Sequence, residues 1–338
     1  MINCSMNIDH YTDNSTYVSY PLVVYGVVHN YIVFVLGTVA NSVALWCISR
    51  CTKTNVAMKL LMMSVFFSLL VICLITRPVM AEKLIGSMYC DTSRPDDRVL
   101  LGFLILYSFC AQFELAAIAV VAVCRAVAVW ASNAHVLRLR VAVCAVVGIF
   151  IYSFGTAVFL LGPMMANYIK DPLIANVVNG VYFFLNTFVP NITTMSCYVA
   201  MIIAMRRNGR RMATVKSSHS RFVNNATRGM FAVFVSNLVF GLPHSVYHMM
   251  PRPPLSYGII FHVLFSMHFV VDPFVFMYFN HSYRRRVGER LWTAWVWVVG
   301  MCGAPPPKTP THLTTSTTTS SGGKDTLHTK DQRAEQNV

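Results

Sequence analysis

VLLGFLILYSFCAQFELAAIAVVAVCRAVAVW, residues 99 to 130, is almost unbroken apolar sequence; its only charged residues are Glu114 and Arg125. A bilayer core of about 30 Å is crossed by about 20 mostly apolar residues in a helix. This run is longer than that, which predicts a tilted helix with its ends in water. A lone strand cannot satisfy its backbone polar groups in lipid, so the segment must be helical. Similar runs lie on both sides of it: 22 to 48, 56 to 81, 141 to 162, 173 to 205, 230 to 250 and 255 to 279. The chain is 55% hydrophobic and 12% charged, with mean hydropathy +0.54. Soluble domains carry roughly 25% charged residues, so two water-soluble domains are excluded despite the length. The expected fold class is an all-α membrane protein, a seven-transmembrane helix bundle with a short amphipathic eighth helix. Residues 1 to 21 form a polar outer tail, 22 to 280 the bundle, 281 to 301 a membrane-surface helix and 302 to 338 a disordered cytoplasmic tail.

Lys and Arg near membrane ends stay in the cytoplasm, and their distribution sets the orientation. Arg206, Arg207, Arg210, Arg211, Lys216, Arg221 and Arg228 lie between the fifth and sixth runs with no acid among them. Arg138 and Arg140 precede the fourth run, whereas residues 1 to 21 hold Asp9 and Asp13 and no Lys or Arg. The N-terminus is therefore expected outside and the C-terminus in the cytoplasm. The net charge of +14 then reads as topology on one membrane face, and no nucleic-acid partner is expected. No segment reads as a cleavable signal peptide, because the first apolar run is too long and follows a polar tail. Sequons at Asn3 and Asn14 fall in the outer tail, where glycans can be added. Of the ten cysteines only Cys4 and Cys90 face the oxidising side, which makes them a candidate disulfide. Those at 47, 73, 110, 124, 144 and 197 are most simply small apolar residues.

Several residues recur at telling depths. GTVANSVALW (37 to 46) puts Asn41 mid-membrane, and the third run ends in Cys124-Arg125-Ala126. Pro190 is followed eight residues later by Tyr198, Pro243 lies in Phe240-Gly241-Leu242-Pro243, and HFVVDPFVFMYF (268 to 279) contains Asp272-Pro273. Taken together and in this order, residues 20 to 300 resemble a rhodopsin-like (class A) G-protein-coupled receptor. The 268 to 279 stretch looks most like the chemokine and peptide receptor branch. The departures are equally specific. Cys124 stands where the family has an acid before its arginine, and no Asp or Glu occurs between Val56 and Ala81. Gly241 replaces the switch tryptophan and Phe276 the seventh helix's tyrosine. Neither the outer end of the third run nor loop 163 to 172 offers the family's disulfide cysteine. The pattern is that of a divergent member, such as the virus-encoded chemokine-receptor-like proteins.

The resemblance implies a cell-surface receptor with Arg125 and Tyr198 as G-protein coupling residues, at the cytoplasmic ends of the third and fifth helices. It also implies a polar, sodium-like pocket of Asn41, Glu114 and Asp272 that binds Na⁺ or shares a proton; Glu114 lies roughly 16 Å from Arg125 along the helix. An ionisable residue inside a membrane helix is a functional candidate by default. The simpler reading of Glu114 is a protonated group hydrogen-bonded between helices, and of Arg125 an anchor that snorkels to headgroups. Arg77, Tyr107, His244, Tyr247, His248 and His262 fall at ligand-pocket depths. Lacking an acid, that set suits a peptide, chemokine or anionic ligand better than an amine. The seventh run has no Lys, so a retinal Schiff base has no attachment point.

Arg284 to Arg286 and Arg290 precede Leu291, Trp292, Trp295 and Val299 at helical spacing, the pattern of a helix lying on the inner leaflet. Cys302 is a candidate acylation site, and Thr314 to Ser321 a candidate phosphorylated segment for an arrestin-like partner. The histidines are scattered and no zinc-ligand or nucleophile spacing appears, so an enzyme is not expected. A transporter would show internal repeats and broken helices, which the sequence does not suggest. The rival function is a non-signalling scavenger or modulator of other receptors on the same scaffold.

Overall fold

The computed structural model describes residues 19–52, 54–89, 91, 95–130, 138–166, 168–209, 218–250 and 255–301. Seven helices are long and apolar enough to cross a membrane: α1 (Tyr20–Ser49), α2 (Val56–Tyr89), α3 (Asp97–Trp130), α4 (Leu139–Met164), α5 (Pro172–Ala204), α6 (Arg228–Met249) and α7 (Ser256–Phe279). The starts and ends agree with the sequence reading to within a few residues, except that α2 runs on past Ala81 to Tyr89. That last stretch carries Glu82 and Lys83, and Tyr31 of α1 donates to Glu82 Oε1 (3.2 Å). No strand occurs among the described residues. Asn3, Asn14, Cys4, Cys90, Cys302 and the 314 to 321 segment lie outside the described residues. So does the side chain of every basic residue from 206 to 221.

α3 is the spine, touching α2, α4, α5 and α6, while α7 closes the bundle against α1 and α6. Its inner face is small and apolar where helices cross (Ala117, Val121, Ala122) and polar at Gln112 and Glu114, all buried. Large side chains on α4 and α5 point outward instead, among them Val147, Phe150, Ile151, Ile192 and Val199. Lipid tails are as apolar as these groups, so nothing drives them inward; packing and interhelical hydrogen bonds hold such helices together. One such network joins three helices. Gln112 Nε2 donates to Tyr182 OH, Thr156 Oγ1 lies 2.7 Å from Gln112 Oε1, and Asn186 Nδ2 donates to the Tyr182 carbonyl (2.9 Å).

The helices are not uniform. Turns with i→i+5 hydrogen bonding occupy Ile72–Thr76, Ala157–Leu161 and Phe184–Phe188, and each is followed, one residue on, by Pro78, Pro163 or Pro190. Proline lacks an N–H and its ring crowds the carbonyl four residues back. Widening the preceding turn relieves the crowding and re-pairs the ladder, as when Arg77 N–H bonds the Ile72 carbonyl. A fourth such turn, Val33–Gly37, has no proline and lies beside the widened turn of α2. There Gly37 approaches so closely that a Cβ would sit 2.5 Å from Cys73 Sγ.

The sequence suggested no broken helix, but α7 is interrupted at Met267, between Leu255–Ser266 and His268–Phe279. Local side-chain bonds compete with the ladder at this point: Ser266 Oγ donates to the Val263 carbonyl (2.9 Å), and His268 Nδ1 meets the Phe265 carbonyl. Pro273, one turn further, cannot bond the Phe269 carbonyl. Asn41 Nδ2 of α1 donates to that oxygen instead (2.9 Å).

The chain divides into two compact units at Val287. A further helix, α8 (His281–Met301), crosses that boundary; in its latter part Leu291, Trp295 and Trp297 are exposed beside Glu289 and Arg290.

Candidate functional site

Halfway along the bundle, four polar side chains from three helices meet away from solvent. Glu114 (α3), Asn237 (α6), His268 and Asp272 (α7) are all buried. Asn237 Nδ2 donates to Asp272 Oδ2 (2.6 Å) and lies 3.2 Å from Glu114 Oε1. Glu114 Oε2 is 3.6 Å from His268 Nε2, and ligand atoms of Glu114, His268 and Asp272 all lie within 4.8 Å of one another. Ser236 of α6 is a further hydrogen-bonding neighbour of Asp272. The arrangement can hold one positive charge, a proton or a small cation, between two acids.

The structure thus brings Glu114 and Asp272 together and leaves Asn41 apart. Asn41 Nδ2 serves the Gly37 carbonyl (2.8 Å), the Phe269 carbonyl and Cys73 Sγ (4.0 Å), none of them an acid of the cluster. Its part is to tie α1 to the proline-freed carbonyl of α7. Asn237 and His268 were missed in the sequence. Both could have been found by asking what partners the two buried acids, since an unpaired polar group in hydrocarbon is costly.

Arg125 is buried at the far end of α3, and its charge faces Tyr198 of α5 and Tyr283 of α8. The Tyr198 ring packs against Phe231 (4.9 Å) and Phe234 (5.8 Å) of α6. Phe276 fills the neighbouring space, its ring 4.7 Å from Phe66 and 5.5 Å from Tyr283. Gly241 is compensated too: Phe265 of α7 comes within 3.6 Å of where its Cβ would be.

Towards the other end of the bundle lie the candidate ligand residues. Arg77 Nη1 donates to Asn30 Oδ1 (3.4 Å), and its guanidinium rests on the rings of Phe269 (4.6 Å) and Tyr107 (5.1 Å). Stacking of this kind suits guanidinium, which is weakly hydrated and planar. The histidines, scattered in sequence, converge in space. His244 Nε2 is 3.1 Å from both His262 Nδ1 and His248 Nε2. Phe265 stacks on His244 (4.2 Å) and Phe183 on His248 (5.1 Å). Tyr247 stands against His248, Phe261 and His262, its hydroxyl packed at Gly258. All six candidates line one region, in two groups: Arg77 with Tyr107, and Tyr247 with the three histidines.

The sequence matches no protein-family model, and no curated protein sequence is significantly similar to it. Solved structures do match. Squid rhodopsin superposes with a TM-score of 0.68 over 86% of this chain and 88% of its own, at 11% sequence identity. The chain therefore has the rhodopsin-like seven-helix fold.

Proposed function

We propose that the protein is a plasma-membrane receptor of the class A G-protein-coupled kind, with its N-terminus outside the cell. Its ligand is a peptide or chemokine-like molecule and its transducer a heterotrimeric G protein. The observation that carries this is Arg125, a buried cation at one end of α3 facing Tyr198 and Tyr283. The alternation of the helices gives that end Arg50 after α1, Arg138 and Arg140 at the start of α4 and Arg228 at the start of α6. A cation so placed, preceded directly by Cys124, can meet the C-terminal helix of a G protein once α6 moves aside. Signalling without ligand is part of this reading, because a cysteine at 124 stands where the family's acid would hold the inactive arrangement. Arrestin is the expected partner of a phosphorylated tail, and no enzymatic chemistry is proposed.

The Glu114–Asn237–Asp272 cluster acts in this reading as the brake on the bundle. Its donors fit Na⁺: Glu114 and Asp272 bring carboxylate oxygens, hard ligands, within 4.8 Å of each other. Na⁺ or a shared proton there would bind α3, α6 and α7 into one arrangement. Arg77, stacked and buried, is the anchor for an acidic group of the ligand.

The test is expression in cells carrying a panel of G-protein reporters, beside a peptide and chemokine binding screen. Activation of at least one G protein supports the receptor. Binding with no activation of any would move the assignment to the scavenger. That alternative has its own support in Gly241 and Phe276, where the family's moving aromatic groups are replaced and the space is filled by packing.

A further inference from the structure

The three histidines pose a problem of valence. A neutral imidazole nitrogen carries either one proton or one lone pair, directed in the ring plane. His244 Nε2 nevertheless lies 3.1 Å from His262 Nδ1 and 3.1 Å from His248 Nε2. It can make one of these hydrogen bonds, not both, so one ring is left facing a nitrogen that cannot answer it. His244 is buried and the other two are half-buried, with aromatic rings on their faces.

We propose that His244, His248 and His262 form a binding site for a borderline transition-metal ion, Zn²⁺ by preference, with its fourth position taken by an anion. A metal ion resolves the valence problem directly, since all three nitrogens present lone pairs and the opposite ring nitrogens hold the protons. The geometry is close. Zn–N bonds of about 2.0–2.1 Å in a tetrahedral site put nitrogens roughly 3.3 Å apart. Two of the edges are 3.1 Å, and all three ligand atoms lie within 4.8 Å of one another. His244 and His248, four residues apart on α6, share one face of that helix, the spacing two ligands need. Pro243 precedes them, and His262 approaches from α7. Asn179 Nδ2 of α5 holds the His248 carbonyl (2.7 Å), which fixes that end of α6.

The charged neighbours that act on His262 are Arg77 and Lys83, both cations. They oppose a bare dication and favour one that carries a negative fourth ligand. Three neutral nitrogens plus one open position is the ligand count of a site that takes an exogenous group. Chloride would serve in the resting protein, and a carboxylate of an incoming molecule could displace it. His248 and His262 are half-buried whereas His244 is buried, so an incoming group reaches the cluster from the side of those two. Metal binding does not depend on G-protein coupling, and its test can fail or succeed independently of that reading.

Full-length protein purified in detergent and stripped with EDTA is titrated with Zn²⁺ against a chromophoric chelator. About one equivalent should bind, with no competition from Ca²⁺ or Mg²⁺, which prefer oxygen. His248→Gln and His262→Gln should each weaken binding by more than tenfold, since even an outer-shell loss costs roughly 10- to 100-fold. The tail variant His312→Gln/His328→Gln should bind as the parent does. Should the bundle variants fold poorly, X-ray absorption at the zinc edge of the parent protein decides. It should show three imidazole nitrogens at about 2.0 Å. No binding by the parent protein, binding that survives both bundle substitutions, or a zinc shell without imidazole would each overturn the site.

Discussion

Asn237 holds two acids with one amide nitrogen, and removing it shows what the cluster is worth. Asn237→Leu removes the one amide that donates to both Glu114 and Asp272. A buried acceptor that loses its partner costs about 1–3 kcal/mol, more if charged. The variant should unfold at a lower temperature in detergent by a matching amount; an unchanged transition would mean the amide is not a structural joint. Glu114→Gln tests the cation instead. It keeps a polar group at the site but removes the carboxyl that the proposed Na⁺ or shared proton needs, so any sodium and pH dependence of signalling that the cluster confers should disappear. Persistence of both dependences in Glu114→Gln would refute the brake. These two residues also mark how far the sequence could be read. Glu114 and Asp272 stood out as charges in apolar runs, which is a local signal. Asn237 and His268 did not, because a neutral polar residue in a membrane helix gains meaning only from what lies across the interface. His244, His248 and His262 were grouped at one depth from the sequence, but that their ring nitrogens meet follows only from the packing of α7 against α6.

Element lengths and order were legible because hydrophobic thickness fixes them; what was not legible was how each helix deviates. Prolines 78, 163 and 190 were visible, yet a proline in a membrane helix can kink, break or widen a turn. Here all three widen it, and the break in α7 occurs at Met267, where no proline stands. The close approach of α1 and α2 at Gly37 likewise needs the structure. Gly37→Ala drives a methyl group into Cys73 Sγ, 2.5 Å from its Cβ, and overpacking of this sort costs about 1–3 kcal/mol. Cys73→Ala removes the obstructing atom. In a double-mutant cycle the pair should be destabilised by at least about 1 kcal/mol less than the sum of the single changes. Strict additivity, read from thermal unfolding in detergent, would place the clash elsewhere.

For the molecule as a whole, orientation and coupling are the claims that matter. The proposed outer position of the N-terminal tail predicts glycans at Asn3 and Asn14. Peptide N-glycosidase should lower the apparent mass of protein made in mammalian cells, and Asn3→Gln/Asn14→Gln should abolish that shift. A glycan-free parent protein would count against an outer tail.

Coupling is tested most directly by nucleotide exchange on purified heterotrimeric G proteins, with ligand-free protein in vesicles and Arg125→Ala alongside. The receptor account predicts exchange above the empty-vesicle rate for at least one G protein, falling to that rate in Arg125→Ala. Equal, background-level exchange from both proteins across the panel would contradict it.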